Sequence, residues 1–242
     1  MRISLVIPVF NEEGNIGPLI TEAFASVPES ALGEVVIVDD ASDDATGPVV
    51  KALLAEYSTL RYIRHERRSG QSAAIRTGVR AAEFPLIATI DGDGQNDPAD
   101  IVRLYKYFEE LGGEPAMVAG LRKNRKGPGS RKVASRFANW IRDKVLADDC
   151  PDTGCGLKLY SREAFLELPY FCTMHRFLPA LFLTYGHKIV YSEVNDRPRL
   201  HGQSKYSNFT RALIGLYDLV GVSWLRKRTV LPCVTEHYRD LV

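Results

Sequence analysis

Residues Ile87-Ala88-Thr89-Ile90-Asp91-Gly92-Asp93-Gly94-Gln95-Asn96-Asp97-Pro98 decide how this chain is read. An apolar run of strand type stops at two aspartates one residue apart; a glutamine follows, and Asp97-Pro98 can then start a helix. Two carboxylates in D-x-D spacing at a strand's carboxyl end can share one hard divalent cation. Gly92 and Gly94 let the backbone turn tightly around it. Mg²⁺ or Mn²⁺ in such a site keeps coordination positions that substrate phosphates fill. D-x-D also occurs by chance in acidic turns, so the other strand ends carry the decision.

Three earlier runs have the same character: Ile3–Val9, Glu34–Val38 and Leu60–His65, with the fourth strand spanning Pro85–Ile90. Helical patterns near Glu13–Ser26, Ala45–Tyr57 and Gln71–Glu83 separate them. A helix across Pro98–Leu111 leads to a fifth strand at Ala116–Ala119. Strand and helix alternating at this spacing predict an open, doubly wound parallel sheet of α/β class. Ligands of such sheets bind outside the carboxyl ends of the strands. Those ends read Pro8-Val9-Phe10-Asn11-Glu12-Glu13, Asp39-Asp40-Ala41-Ser42-Asp43-Asp44, Arg68-Ser69-Gly70-Gln71-Ser72 and the D-x-D segment. Asn11, Asp43 and Ser69 are also good helix N-cap types, and capping is the competing reading for each alone. There is neither G-x-G-x-x-G after the first strand nor a Walker A sequence. Phosphates would then be held by metal and basic side chains, which suits a nucleotide-sugar enzyme better than an NAD or ATP enzyme.

The chain has 242 residues, enough for one α/β domain with a C-terminal extension. Its net charge of +1 gives no ground for a nucleic-acid surface. Basic residues are nevertheless concentrated: no acidic residue lies between Pro115 and Arg142, which include Arg122, Lys123, Arg125, Lys126, Arg131, Lys132 and Arg136. The four cysteines show no C-x-x-C or zinc pattern, which predicts reduced thiols in a cytoplasmic setting. Met1 leads straight into a strand, so no signal peptide is expected, and no window is apolar enough to predict a membrane-spanning helix.

The chain resembles the family 2 glycosyltransferases of GT-A fold, in particular the dolichol-phosphate mannosyltransferases and bacterial polyprenyl-phosphate sugar transferases. The likeness is carried by Val6-Ile-Pro8-Val-Phe10-Asn11-Glu12-Glu13, Val38-Asp39-Asp40-x-Ser42-x-Asp44-x-Thr46, Gly70-Gln71-Ser72-Ala73-Ala74 and Asp91-Gly-Asp93-Gly-Gln95-x-x-Pro98. Gly120-x-Arg122, Asp152-x-Gly154-Cys-Gly156-x-Lys158 and Arg199-x-His201-Gly202-x-Ser204-Lys205-Tyr206 extend it. The resemblance implies a GT-A sheet over residues 1–206 and a C-terminal helix and tail over 207–242. It also implies transfer of a hexose, with inversion, from a GDP- or UDP-linked donor to a dolichyl-type lipid phosphate. In that reading Pro8, Phe10, Glu12 and Asp39 surround the nucleotide base, while Gly70 and Ser72 allow its close approach. Asp91, Asp93 and Gln95 hold Mg²⁺ or Mn²⁺, Arg122 and Arg131 grip the acceptor phosphate, and Ser204 and Lys205 close over a phosphate.

These residue types suit the chemistry. A departing nucleoside diphosphate gathers negative charge, which a cation stabilises. A lipid monophosphate, with a second pKa of about 6, is already largely a dianion at neutral pH and needs positioning more than a general base. Guanidinium groups match phosphate oxygens bidentately. Transfer to a saccharide or glycolipid hydroxyl would need a base, for which Asp152 is the candidate, and a non-catalytic nucleotide-sugar-binding subunit would be expected to lack the acid pair. Lys123, Arg125 and Lys126 beside Gly127-Pro128-Gly129 read as a solvated loop, and 131–146 as a helix with one apolar side. His65, His175, His187 and His237 form no ligand set and are taken as structural or surface; a catalytic role for Cys155 is disfavoured.

A lipid acceptor places the site at a bilayer. Ser207–Arg228 reads as a helix with Phe209, Leu213, Leu216, Leu219, Val220 and Trp224 roughly on one side, followed by Arg226-Lys227-Arg228. Such a stripe can lie in a membrane interface or pack on the domain. Thr229–Val242 is too short and polar to span, so peripheral attachment at the cytoplasmic face is expected, through a homodimer or a membrane-protein partner.

Overall fold

A computed structural model describes residues 1–113, 116–122, 145–146, 150–198 and 208–232. Its centre is a seven-stranded sheet in which β1 (Ile3–Val9), β2 (Leu32–Asp39), β3 (Leu60–Arg64) and β4 (Leu86–Thr89) are mutually parallel. α1 (Ile16–Ser26), α2 (Thr46–Leu53) and α3 (Gln71–Ala81) connect them, as their spacing predicts. α4 (Ala99–Glu110) then leads to β5 (Met117–Arg122).

The far half of the sheet departs from the sequence expectation. β5 does not lie beside β4. The short strand β6 (Lys158–Ser161) stands between them and runs antiparallel to both. β7 (Ile189–Val194) pairs parallel to β5, giving the order β3-β2-β1-β4-β6-β5-β7. Neither β6 nor β7 is assigned from sequence. One has four residues, and the other is mostly half-buried without clean alternation, so both lack the long apolar run that marks β1 and β2. α5 (Arg162–Glu167), a 3₁₀ turn at Met174–Arg176, α6 (Leu178–Thr184) and α7 (Asn208–Arg228) complete the described fold.

Every residue of β1 and β2 is buried, the signature of strands covered on both faces. Period-2 alternation sends Ile3, Leu5 and Ile7 to one core with Leu19 and Ile20 of α1 and Ile101 and Leu104 of α4. Val6, Val36 and Val38 face the other, with Ala74 and Val79 of α3, Phe165 of α5, Phe182 of α6 and Leu219 and Val222 of α7. α3 lies unusually close to the sheet: a Cβ on Gly78 would stand 2.4 Å from Val6 Cγ1. Among the described residues no helix is long and apolar enough to cross a membrane. The expected helix over 131–146 falls almost wholly outside the described residues.

Candidate active site

All four strand ends meet on one rim, and the first two brace each other. Asn11 takes a left-handed conformation (φ 54°), and its amide N–H donates to Ser42 Oγ at 2.9 Å. Asn11 Nδ2 donates to Asp43, and Asp43 N returns a bond to Asn11 Oδ1. Glu12 N donates to Thr46 Oγ1, Glu13 N to Asp44, and Ala45 N to the Glu13 carboxylate. The N-cap positions of α1, α2 and α3 are Asn15, Ala45 and Gly70, so Asn11, Asp43 and Ser69 are not the caps their types suggest. They tie one loop to the next, a job that needs the tertiary fold.

Asp39 and Asp40 divide the work at the end of β2. Asp39 is fully buried and accepts from Ser42 N (2.8 Å), Tyr62 Oη (2.6 Å) and Arg64 (2.8 Å). Burial alone would raise its pKa, but the bonds from Ser42 and Tyr62 and the Arg64 charge bring it below the ordinary value. Asp40 accepts Ser69 N (2.8 Å) and Gly70 N (2.7 Å) and pairs with His65 Nδ1 (2.8 Å). It thereby fixes the loop into α3, where Gly70 has φ 91°, a conformation suited to glycine. His65, also 2.9 Å from Thr77 Oγ1, is structural, as expected.

A cleft of about 450 Å³ opens at the end of β4 and contains Pro8, Gln71, Asp91, Asp93, Gln95 and Arg122. Gln71 Nε2 donates to Asp91 Oδ1 at 2.7 Å, and Asn96 Oδ1 accepts Asp91 N. Burial, then the neighbouring Asp93 charge, pushes the Asp91 carboxyl up to about 6, against the pull of Lys158, Arg122 and Gln71. Gly156 is required here: a Cβ there would lie 2.4 Å from the Asp91 carboxyl group. Gln95 N donates to Asp93 Oδ1, and Gln95 Nε2 to the Arg197 carbonyl at 3.3 Å, which commits the amide nitrogen rather than its oxygen. Among the described residues no three His, Cys, Asp or Glu side chains form a metal cluster. The donors expected from sequence, two carboxylates and one amide oxygen, would be oxygen ligands of the hard type that suits Mg²⁺ or Mn²⁺ with substrate completing the shell. Asp93 is buried and Asp91 half-buried, and the repulsion of the Asp93 charge that helps raise the Asp91 pKa is what a bound cation would relieve.

Arg122 lines this cleft in a fixed pose. Its Nε and Nη2 donate to the two oxygens of Asp152 at 2.7 and 2.8 Å. Burial opposes its charge, yet the pairing raises its pKa above the usual arginine value. Asp152 is therefore the orienter of Arg122, which removes the ground for reading it as a general base. Cys155 has its thiol pushed up to about 11, chiefly by burial, consistent with no nucleophilic role.

The structure adds residues to which the sequence assigned no role. Lys158, on β6, is buried beside Asp91, and its Nζ donates to the Cys155 carbonyl. A lysine inside a strand next to Leu159 and Tyr160 is the signal that could have exposed it, because a buried ammonium demands partners. His175, read from sequence only as structural or surface, and Arg176 line the same cleft. They stand on a 3₁₀ turn without periodicity, so no sequence signal marks them. Ser72 is buried with its Oγ 2.7 Å from His175 Nδ1. Phe10 carries the Arg68 guanidinium 4.1 Å over its ring, and the Glu12 carboxylate accepts Asn15 Nδ2. Arg131, Ser204 and Lys205 lie outside the described residues.

Residues 4–168 match glycosyl transferase family 2. The chain belongs to this family. It is 35% identical over 237 residues to dodecaprenyl-phosphate galacturonate synthase of Rhizobium johnstonii, covering 96% of this chain and 69% of that protein. It is 34% identical over 223 residues to undecaprenyl-phosphate 4-deoxy-4-formamido-L-arabinose transferase of Aeromonas hydrophila, covering 90% of this chain and 66% of that one. The chain thus spans about two thirds of the length of these relatives. The GT-A fold is shared with glucosyl-3-phosphoglycerate synthase of Mycobacterium tuberculosis. Its complex with Mn²⁺, UDP and phosphoglyceric acid has a TM-score of 0.67 at 19% identity, covering 93% of this chain and 78% of that one. Its complex with Mg²⁺ and UDP has a TM-score of 0.68 at 19% identity, covering 93% and 79%.

Proposed function

We propose that this family 2 glycosyltransferase moves a sugar from a UDP-linked donor to a polyprenyl phosphate, with inversion at the anomeric carbon. The observation that carries the reading is the acid pair Asp91 and Asp93 sharing one cleft with the fixed cations Arg122 and Lys158. Relatives named for dodecaprenyl- and undecaprenyl-phosphate favour a lipid-phosphate acceptor. Their sugars, a galacturonate and a formamido-arabinose, favour a modified or acidic pyranose over the mannose that the dolichol-type resemblance implies. UDP in the fold relatives favours UDP over GDP.

Asp91, Asp93 and the Gln95 amide oxygen would hold Mg²⁺ or Mn²⁺, which when bound neutralises the charge that gathers on the leaving diphosphate. Pro8, Phe10 and Glu12 would border the nucleotide, Gly70 and Ser72 would admit it closely, and Asp39, fully buried, would act from behind by holding Ser42, Tyr62 and Arg64 in place. Arg122, oriented by Asp152, and Arg131 would position the acceptor, while Ser204 and Lys205 would meet a phosphate. An acceptor phosphate oxygen bonds to the anomeric carbon as the bond from that carbon to the diphosphate oxygen breaks, and UDP leaves. An acceptor dianion has no proton to lose, so this transfer requires no general base. A hydroxyl acceptor, which would need one, is disfavoured, since Asp152 is committed to Arg122. The intact acid pair disfavours a non-catalytic subunit.

The acceptor would be met at a membrane surface, with α7 lying on the cytoplasmic leaflet. Leu216, Tyr217, Val220 and Trp224 are exposed on it, ahead of Arg226-Lys227-Arg228.

Asp93→Ala is expected to lower transfer of radiolabelled sugar to undecaprenyl phosphate by about 10³-fold or more, the scale of removing a group that stabilises leaving-group charge. Circular dichroism should be unchanged. Undiminished turnover would refute the role of the acid pair. Arg122→Ala should raise KM for the lipid phosphate more than Kd for UDP; equal loss of both in kinetics and calorimetry would remove Arg122 from acceptor binding.

A further inference from the structure

The turn that brings His175 and Arg176 to the cleft is held from the C-terminal helix. Thr173, just before it, sits in the left-handed region at φ 74°, a conformation strained for a β-branched residue. Its Oγ1 donates to Asp218 Oδ2 at 2.6 Å, the two residues being 45 positions apart. Asp218 precedes Leu219, which with Val222 packs α7 into the second core, so the carboxylate stands on an anchored helix. Beyond the strained residue, Met174 is buried, His175 N donates to Ser72 Oγ at 3.2 Å, and Arg176 faces the cleft that contains Asp91 and Asp93.

A strained conformer persists only where its surroundings over-determine it. Met174 in the core and His175 on Ser72 fix the far side of the turn. The charge-assisted bond to Asp218 fixes Thr173 itself.

We propose that Asp218 is a positioning residue: by holding Thr173 left-handed it sets the turn that presents Arg176 to the substrate phosphates and His175 to Ser72. This deepens the proposed function and rests on it for the role of the cleft. It makes α7 a structural input to the active site in addition to any surface it contacts.

Four forms of the protein test the clamp: wild type, Asp218→Ala, Asp218→Asn and Asp218→Ala combined with Thr173→Gly. Two quantities are read, amide hydrogen exchange at residues 174–177 and steady-state transfer from UDP-galacturonic acid to undecaprenyl phosphate. In Asp218→Ala, exchange at the turn should rise about tenfold, the scale of releasing a left-handed residue. kcat/KM should fall roughly ten- to a hundredfold, as for a misplacement near 1 Å. Asp218→Asn should keep most activity, because its amide oxygen still accepts the Thr173 hydroxyl. The double variant should recover activity, because glycine takes the left-handed conformation without strain.

Unchanged exchange in Asp218→Ala overturns the clamp, as does faster exchange with unchanged kcat/KM. A double variant that folds but stays as inactive as Asp218→Ala also overturns it, by showing that the carboxylate acts otherwise than through the turn. If Asp218→Ala does not fold, the folded double variant and Asp218→Asn decide the same question. A wild type inactive with every nucleotide sugar and lipid phosphate counts against the proposed function instead, and the exchange data still decide whether the clamp exists.

Discussion

Asp91, proposed above to hold the cation, is kept where its charge costs stability. Its carboxyl has a pKa of about 6 in the folded chain against an ordinary 3.8, so the native state holds a proton that the unfolded chain has lost between these values. Stability conferred by the protonated form is therefore complete below about pH 4 and is lost as pH rises through 6. Without divalent cation, Asp91→Asn should be more stable than wild type at pH 8 by about 1–2 kcal/mol, and no more stable at pH 4. Thermal melts in chelator at the two pH values check this; a melting temperature lowered at pH 8 would contradict the account. Gly156 belongs to the same compromise, since only a residue without a Cβ leaves room for that carboxyl group. The D-x-D pair was legible from sequence because two acids after a buried strand are a local pattern. Lys158, His175 and Arg176 were not, because they reach the cleft from β6 and a 3₁₀ turn far away in the chain.

At the scale of elements, the near half of the sheet follows local rules and the far half does not. β1 to β4 and α1 to α4 stand within a few residues of their predicted bounds, because long apolar runs alternating with amphipathic helices admit few other solutions. β6 inserts between β4 and β5 through pairs such as Thr89 with Lys158 and Ala119 with Lys158, a placement that nothing within four residues can announce. α3 is fitted to the sheet by Gly78, whose position lies against Val6 and Val38. Gly78→Ala gains helix propensity but overpacks that contact, so a net loss of about 1–2 kcal/mol is expected. It should appear as a lower denaturant midpoint at unchanged slope. An unaltered midpoint would mean that the helix slides at no cost.

Across the whole molecule, the C-terminal helix joins core, site and surface. Sequence periodicity grouped Leu216, Leu219, Val220 and Trp224 roughly on one side and left packing and membrane contact as rivals. The fold separates them: Leu219 and Val222 are core, whereas Leu216, Val220 and Trp224 are exposed, at four-residue spacing. Leu216→Ser with Trp224→Ser should therefore leave the fold intact and reduce co-sedimentation with anionic vesicles several-fold, the attraction weakening with salt. Equal binding by variant and parent would exclude this face as the contact. The sequence by itself determined the α/β class, the family motifs and the acid pair, because strand periodicity and D-x-D chemistry are encoded within a few neighbouring residues. Only the tertiary structure decided that Asp152 orients Arg122, that Lys158, His175 and Arg176 share the cleft, and that Asp218 holds Thr173. Those contacts join residues distant in the chain, and their geometry exists only once the sheet and its helices have packed.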